Sequence, residues 1–333
     1  MEIFDGRYYK HSKWFLRAIG LWPYETHIRR INSFIIFYII ILSLAIPQTI
    51  MLVKHWRDFN IMCENSVSLM FAIVCMSKYA VTYTSAEQLK LLFLQIIKDW
   101  QKIKDETERK ILQKTTEEGR TLVLMYTIYI TYATIMYGLI PFTPYFLDQI
   151  LPLQNGTRPK QVAFYADYVI FDQFDYHYWC CGHMILVYFY TSCSLFSGVD
   201  GIYLLAVKHA CGLFLITWIE TMGNSQKTDE NCYQPKNDAI VRREMTEAVI
   251  LHNETIRCVD LLEDSFSKCF LIVQGVSVLG LSLGSLYTLF ILDDFYKFVR
   301  IVAFIFGIQI HLLYLNWVGQ QIIDSSLKVF YSS

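Results

Sequence analysis

Six stretches of the chain are almost free of charge, and each is long enough to cross a lipid bilayer as a helix. A spanning helix needs roughly 20 mainly apolar residues, because its backbone has to satisfy its own hydrogen bonds in lipid. The predicted spans are residues 33–53, 66–85, 122–142, 180–207, 269–292 and 301–319. The pattern predicts an all-α membrane protein, a multi-span helical bundle that forms one transmembrane domain over residues 1–333.

Two segments outside the predicted spans also carry the pattern of a helix. In residues 239–267 apolar side chains recur every three or four positions, as they do along one face of a helix. A similar stripe begins at Leu89, after the second span, and reaches Ile103. These segments predict helical extensions beyond the bilayer, and the first of them should run directly into the fifth span.

The positive charges of the loops predict the orientation. The segment before the first span, the second loop and the fourth loop hold 6, 8 and 7 Lys or Arg residues, whereas the other three loops hold 2 each. Because Lys and Arg accumulate on the cytoplasmic side, the N-terminus and the helical extensions are predicted to be cytoplasmic. The glycosylation sequon at Asn155 then lies outside the cell, and the sequon at Asn253 lies inside.

Composition narrows the class of protein. Hydrophobic residues make up 54% of the chain and charged residues 18%, below the roughly 25% that is usual in soluble domains. A net charge of −1 gives no reason to expect nucleic-acid binding. The sequence shows no metal-ligand spacing among its cysteines and histidines and no catalytic motif, so we expect neither an enzyme nor a metal or cofactor.

A few polar and small residues stand out within the apolar spans. A buried carboxylate in lipid is costly unless it is paired or faces water, and Asp200 and Lys78 both lie near the inner ends of their spans, where they could pair. His311 is interpreted as a core histidine. Gly280 and Gly284 form a G-x-x-x-G pattern that allows close approach of two helices.

The outer halves of the second, third, fourth and sixth spans combine aromatic, aliphatic and small residues. Such a mixture suits a cavity for a small, mostly apolar ligand that is held by shape. For each residue, ordinary helix packing is the alternative interpretation. The candidate ligand-binding residues are Val67, Met70, Phe71, Thr134, Tyr137, Gly138, Met184, Tyr188, Val302, Ile305 and Gln309.

Three stretches of the sequence resemble insect odorant receptors. They are residues 199–211 (VDGIYLLAVKHAC), 261–267 (LLEDSFS) and 316–326 (NWVGQQIIDSS), and the last is the most specific. The resemblance implies a tuning subunit that forms a hetero-tetramer with an odorant co-receptor. It also implies that small volatile odorants gate a non-selective cation channel in the plasma membrane of olfactory sensory neurons. In that family the pocket lies among the second, third, fourth and sixth spans, and cytoplasmic helices form most of the subunit contact.

The resemblance also implies a seventh span that lines the pore. No apolar stretch of that length follows Gly319, so the sequence is expected to lack the final span and the pore wall it supplies. Two alternatives remain open at this point. One is an insect gustatory receptor, which shares the topology, and the other is a membrane protein that is not a channel, such as a transporter or a scaffold.

Overall fold

The protein is a bundle of long helices in the computed structural model, which describes residues 2–153, 156–230 and 235–332. Asn155, the predicted glycosylation site, lies outside these residues. The helices are α1 (Lys10–Ala18), α2 (His27–Lys54), α3 (Phe59–Thr84), α4 (Ala86–Lys102), α5 (Glu106–Leu139), α6 (Thr143–Ile150), α7 (His177–Leu195), α8 (Gly201–Glu230), α9 (Pro235–Thr288) and α10 (Phe295–Ser332). A π-helical turn, Phe196–Asp200, joins α7 to α8, so the fourth span continues through both helices.

Local signals in the sequence set the beginnings of two central helices. The side chain of Asp58 accepts hydrogen bonds from the backbone N–H groups of Asn60 and Ile61 and caps α3. Asp105 caps α5 in the same way. Such caps satisfy N–H groups that have no partner within the helix.

Within the described residues, six helical stretches are long and apolar enough to cross a membrane, and each overlaps one predicted span. Many of their outward side chains are apolar, as Ile35, Ile36 and Ile39 on α2 illustrate, each about half exposed. A helix surface of this kind is suited to lipid. The all-α multi-span prediction is confirmed, while the orientation stays a prediction from the loop charges.

The fourth span is the central helix of the bundle. Every residue of Phe196–Asp200 is buried, and so is each residue from Gly201 to Val207. Helices α5, α9 and α10 pack against α8, and α3 packs against α9. The charged Asp200 therefore lies among helices rather than against lipid.

Candidate ligand-binding cavity

A cavity of about 180 Å³ lies among α3, α5, α7, α9 and α10. The segment between α6 and α7 contributes Ala163 and Phe164 to its wall. We call the end near this segment the loop end and the end near the π-helical turn the deep end. Aromatic, aliphatic and small side chains form most of the lining, which suits an apolar ligand.

The structure brings eight of the eleven predicted residues together in the cavity wall. Those on α3 and α5 recur every three or four positions, so they share one face of each helix. The eight residues are Val67, Met70, Phe71, Thr134, Tyr137, Gly138, Met184 and Tyr188.

The cavity wall does not include the three residues predicted on the sixth span, Val302, Ile305 and Gln309. Gln309 is exposed, and Ile305 packs beside the cluster that contains Tyr287. A helix turns about 100° per residue, so these three residues lie on nearly the opposite face of α10 from the lining residues. The lining residues of α10 are Ala303, Phe304, Gly307, Ile308 and His311.

Two parts of the wall come from elements that the sequence analysis did not assign to the site. One is on α9, where Val276, Ser277 and Gly280 face the cavity. The G-x-x-x-G pattern of Gly280 and Gly284 predicted close approach of two helices, but it did not indicate a cavity. The other group is Ala163 and Phe164, which lie in an irregular segment with no periodicity that could assign a face.

Aromatic rings form the loop end of the cavity wall. The ring of Tyr188 lies 5.2 Å from that of Phe71 and 5.5 Å from that of Phe164, measured between centroids. The ring of Tyr137 lies 5.7 Å from Phe164 and 6.2 Å from Phe304. These tilted and stacked pairs are favourable geometries for aromatic contacts, and they hold Phe164 against the helices.

Most polar side chains of the lining already have partners. The hydroxyls of Tyr188 and Ser68 lie 2.6 Å apart. Thr134 and Ser192 donate to backbone carbonyls one turn earlier on their own helices. Among the described lining residues, two buried polar atoms have no hydrogen-bond partner, Tyr137 Oη and His311 Nε2.

A buried ion pair closes the loop end. Arg300 Nη2 pairs with Glu64 Oε2, and the Tyr287 hydroxyl donates to the other carboxylate oxygen at 2.8 Å. Arg300 Nη1 also donates to the backbone carbonyl of Val162 at 2.5 Å. Because Val162 directly precedes Ala163 and Phe164, this arginine fixes the segment that covers the cavity.

A second ion pair lies at the deep end. Lys78 Nζ and Asp200 Oδ1 are 2.5 Å apart, and both side chains are fully buried. The Tyr126 hydroxyl donates to the other oxygen of Asp200 at 2.9 Å and lies 2.6 Å from His311 Nδ1. The pairing considered from the sequence is therefore present, and it is linked through Tyr126 to a cavity residue.

A third polar cluster lies outside the cavity, where α4, α8 and α9 meet. Ligand-type atoms of Asp99, His209 and Cys258 lie within 4.8 Å of one another, and all three residues are buried. These residue types can bind zinc, and their sequence separation hid the grouping. The Asp99 carboxylate already accepts from Gln95 at 2.7 Å and lies 3.0 Å from His209 Nε2. Those contacts connect α4 with α8.

Fold and cavity together define a multi-pass helical membrane protein with a largely apolar internal cavity. The chain belongs to the insect odorant receptor family, since the sequence profile of the 7tm odorant receptor family matches residues 58–333. This membership confirms the resemblance and favours the odorant over the gustatory alternative. The family is a class of receptors and channels rather than of enzymes.

A solved structure with the same fold is that of the insect olfactory receptor OR5 from Machilis hrabei. The match has a TM-score of 0.66 and covers 98% of this chain and 82% of that chain. Sequence identity is 14%, so the likeness concerns the fold. A comparison with curated protein sequences finds no match.

Proposed function

We propose that the cavity binds small, mostly apolar odorants and that the chain is an odorant-tuning subunit. It works with a co-receptor to gate a non-selective cation channel in the plasma membrane of olfactory neurons. The observation that carries this proposal is the apolar cavity of about 180 Å³ inside the bundle. Family membership supports the receptor class, and the cavity supports the kind of ligand.

The size and lining of the cavity favour compact ligands. An apolar cavity of roughly 150 Å³ is large enough to hold benzene, so the present volume suits a substituted ring or a chain of similar size. With few polar atoms unpaired, recognition rests on shape and on contacts with aromatic rings such as those of Tyr137 and Tyr188.

Gating requires that the odorant bind one state of the channel better than the other. Helices α9 and α10 both line the cavity, and both continue well beyond it, to Pro235 and Ser332. A ligand that changes the packing of these helices at the cavity therefore acts on segments that extend to the predicted cytoplasmic side. That connection is the physical basis we propose for coupling.

The binding site is tested with a pair of tyrosines on α5. Tyr137 lines the cavity, whereas Tyr132 is 63% exposed on the outer surface of the bundle. We expect Tyr137→Ala to change the order in which a panel of alkyl and aromatic odorants binds the purified receptor. Tyr132→Ala, which removes the same side chain, should leave that order unchanged.

Surface expression of both variants is measured alongside, because removal of a large buried aromatic side chain costs about 3–5 kcal/mol. An unchanged order in a well-expressed Tyr137→Ala receptor would contradict the placement of the site.

Co-expression with the co-receptor tests the second half of the proposal, the gating of a channel. Odorant-evoked current that depends on this subunit supports gating, while binding without current limits the chain to ligand recognition.

A further inference from the structure

His311 is the polar residue of the cavity wall with the most defined surroundings. It is 8% exposed, it lines the cavity, and its Nε2 atom is buried without a hydrogen-bond partner among the described residues. Its other ring nitrogen, Nδ1, lies 2.6 Å from the Tyr126 hydroxyl. The ring is therefore held at one nitrogen and unpaired at the other.

The position of one proton decides what Nε2 can do. The Tyr126 hydroxyl has a single hydrogen, which it donates to the Asp200 carboxylate at 2.9 Å. A carboxylate that is paired with Lys78 is ionised and can only accept. The contact between Tyr126 Oη and His311 Nδ1 then requires the hydrogen to be on Nδ1.

The histidine is also held in its neutral form by charge balance. Lys78 and Asp200 already form a neutral pair, and His311 Nδ1 is 4.0 Å from the carboxylate. A protonated His311 would add an uncompensated charge within the membrane-spanning bundle, which is costly. A neutral imidazole with its hydrogen on Nδ1 has a lone pair on Nε2 and can only accept there.

We propose that His311 Nε2 accepts a hydrogen bond from a hydroxyl group of the ligand. The receptor would then select alcohols and phenols with an apolar body over ethers of the same size. This inference rests on the proposed function, since it assigns the chemical class of ligand for the same cavity.

The remaining polar groups of the lining do not impose this choice. The hydroxyls of Tyr188, Thr134 and Ser192 have partners within the protein. Those of Tyr137 and Ser277 can donate or accept, so they serve an alcohol and an ether alike. The hydroxyl oxygens of Thr134 and Ser192 can also accept, but each already takes part in a hydrogen bond. Among the described lining residues, His311 Nε2 is the buried atom without any partner that can only accept, and an ether cannot donate to it.

The experiment compares 1-octanol with 1-methoxyheptane, which have the same number of heavy atoms but differ in the O–H group. Each competes against an alkyl diazirine of similar length that is photo-crosslinked to the purified full chain. Mass spectrometry of peptides from the cavity wall then reports occupancy of this site rather than partition into detergent or lipid. We expect 1-octanol to compete about tenfold more strongly, as befits one hydrogen bond to an otherwise unpaired acceptor.

Two variants assign the preference to an atom. His311→Asn can keep a polar group beside Tyr126 but has no atom at the position of Nε2, so the alcohol-to-ether ratio should fall to about one. Tyr137→Phe removes the other buried polar atom of the lining that has no partner, and it should change both affinities by a similar factor, with the ratio preserved.

The outcomes separate the two proposals. A ratio near one in the wild-type receptor overturns the role of His311 even if no variant folds, and it leaves the cavity as an odorant site. A preference that is lost in Tyr137→Phe but kept in His311→Asn also overturns it. If the probe labels no cavity peptide and neither compound competes, the cavity is not the ligand site and both proposals fail.

Discussion

Helix α3 carries a buried charge at each end of the cavity, Glu64 at the loop end and Lys78 at the deep end. Val67, Phe71 and Val74 lie between them on the same face and line the cavity. The two charged residues are 14 positions apart in the sequence, which is about 21 Å along a helix. One helical face thus combines an apolar binding wall with a charged group at either end.

The two ends differ in what the charges hold. At the deep end Lys78 pairs with Asp200, and the surrounding groups, Tyr126 and His311, also lie on helices. At the loop end Arg300 joins Glu64 to the backbone of Val162, which belongs to an irregular segment. The deep end therefore connects helices to one another. The loop end connects helices to the irregular segment that contains Val162, Ala163 and Phe164, which we call the cover. We therefore expect a displacement of the cover to disturb helix packing less than a displacement of a helix at the deep end.

The largest effect is expected when the deep ion pair is broken. Lys78→Met leaves the Asp200 carboxylate buried and unpaired, which typically costs about 3–5 kcal/mol. The variant should express poorly at the surface and melt at a lower temperature in detergent. Adding Asp200→Asn should recover much of the loss, since a neutral amide has no unpaired charge. A Lys78→Met protein with wild-type stability would show that this pair is not needed to join the helices.

A smaller and different effect is expected at the loop end. Arg300→Lys keeps a positive charge near Glu64, but a single ammonium group cannot reproduce the planar fork that also reaches Val162. Loss of that charged hydrogen bond should cost about 1.5–3 kcal/mol and should speed dissociation of a bound odorant several-fold. Lys297→Met on the same helix, which removes a partly exposed pairing with Asp294, is the matched control. Equal dissociation rates in both variants would argue against Val162 as part of a cover.

The smallest effect is expected for an exposed pair outside the cavity. Lys54 Nζ lies 2.5 Å from Asp167, with side chains 54% and 22% exposed, so the pair should contribute only about 0.5 kcal/mol. The hydrogen bond from Lys54 lowers the pKa of the Asp167 carboxyl. A carboxyl whose pKa is lowered in the folded state contributes its full stability above the ordinary pKa of about 4. The contribution is lost as the pH falls through the lowered pKa of the folded state.

Asp167→Asn should therefore lower the melting temperature slightly at pH 7, and by less as the pH falls toward about 3. Thermal unfolding of the variant and the wild type at both pH values measures this. A difference that grows as the pH falls would contradict the sign of the argument. The Lys78–Asp200 and Lys54–Asp167 pairs have the same charges but differ in burial. The difference between their effects on stability therefore measures the contribution of burial.

The sequence by itself determined the class of fold. The length and apolar content of a segment can be read directly from the sequence. Because the backbone N–H and C=O groups must form hydrogen bonds within the segment in lipid, each predicted span is expected to be a helix. The spacing along α3 was also readable, since Val67, Met70 and Phe71 follow the helical period. The stretches at residues 199–211 and 316–326 carried enough of the family pattern to indicate the receptor class.

Which helix faces turn inward depends on the packing of the whole bundle. A membrane helix can be apolar on the side toward lipid and on the side toward a cavity, so hydrophobicity does not define its rotation. For that reason Val302, Ile305 and Gln309 were chosen on α10 where the structure has Phe304, Ile308 and His311. The same holds for Phe164, whose irregular segment reaches the cavity through the contact of Arg300 with Val162.

The partners of buried polar groups depended on the tertiary structure for a related reason. Asp200 was conspicuous in the sequence, yet its contacts come from Lys78 and Tyr126, and Tyr126 in turn reaches His311. Glu64 and Arg300 lie near helix ends and resembled ordinary loop charges until the fold brought them together. A costly buried charge can be recognised from one position of the chain, but its compensation is a property of several helices packed around it.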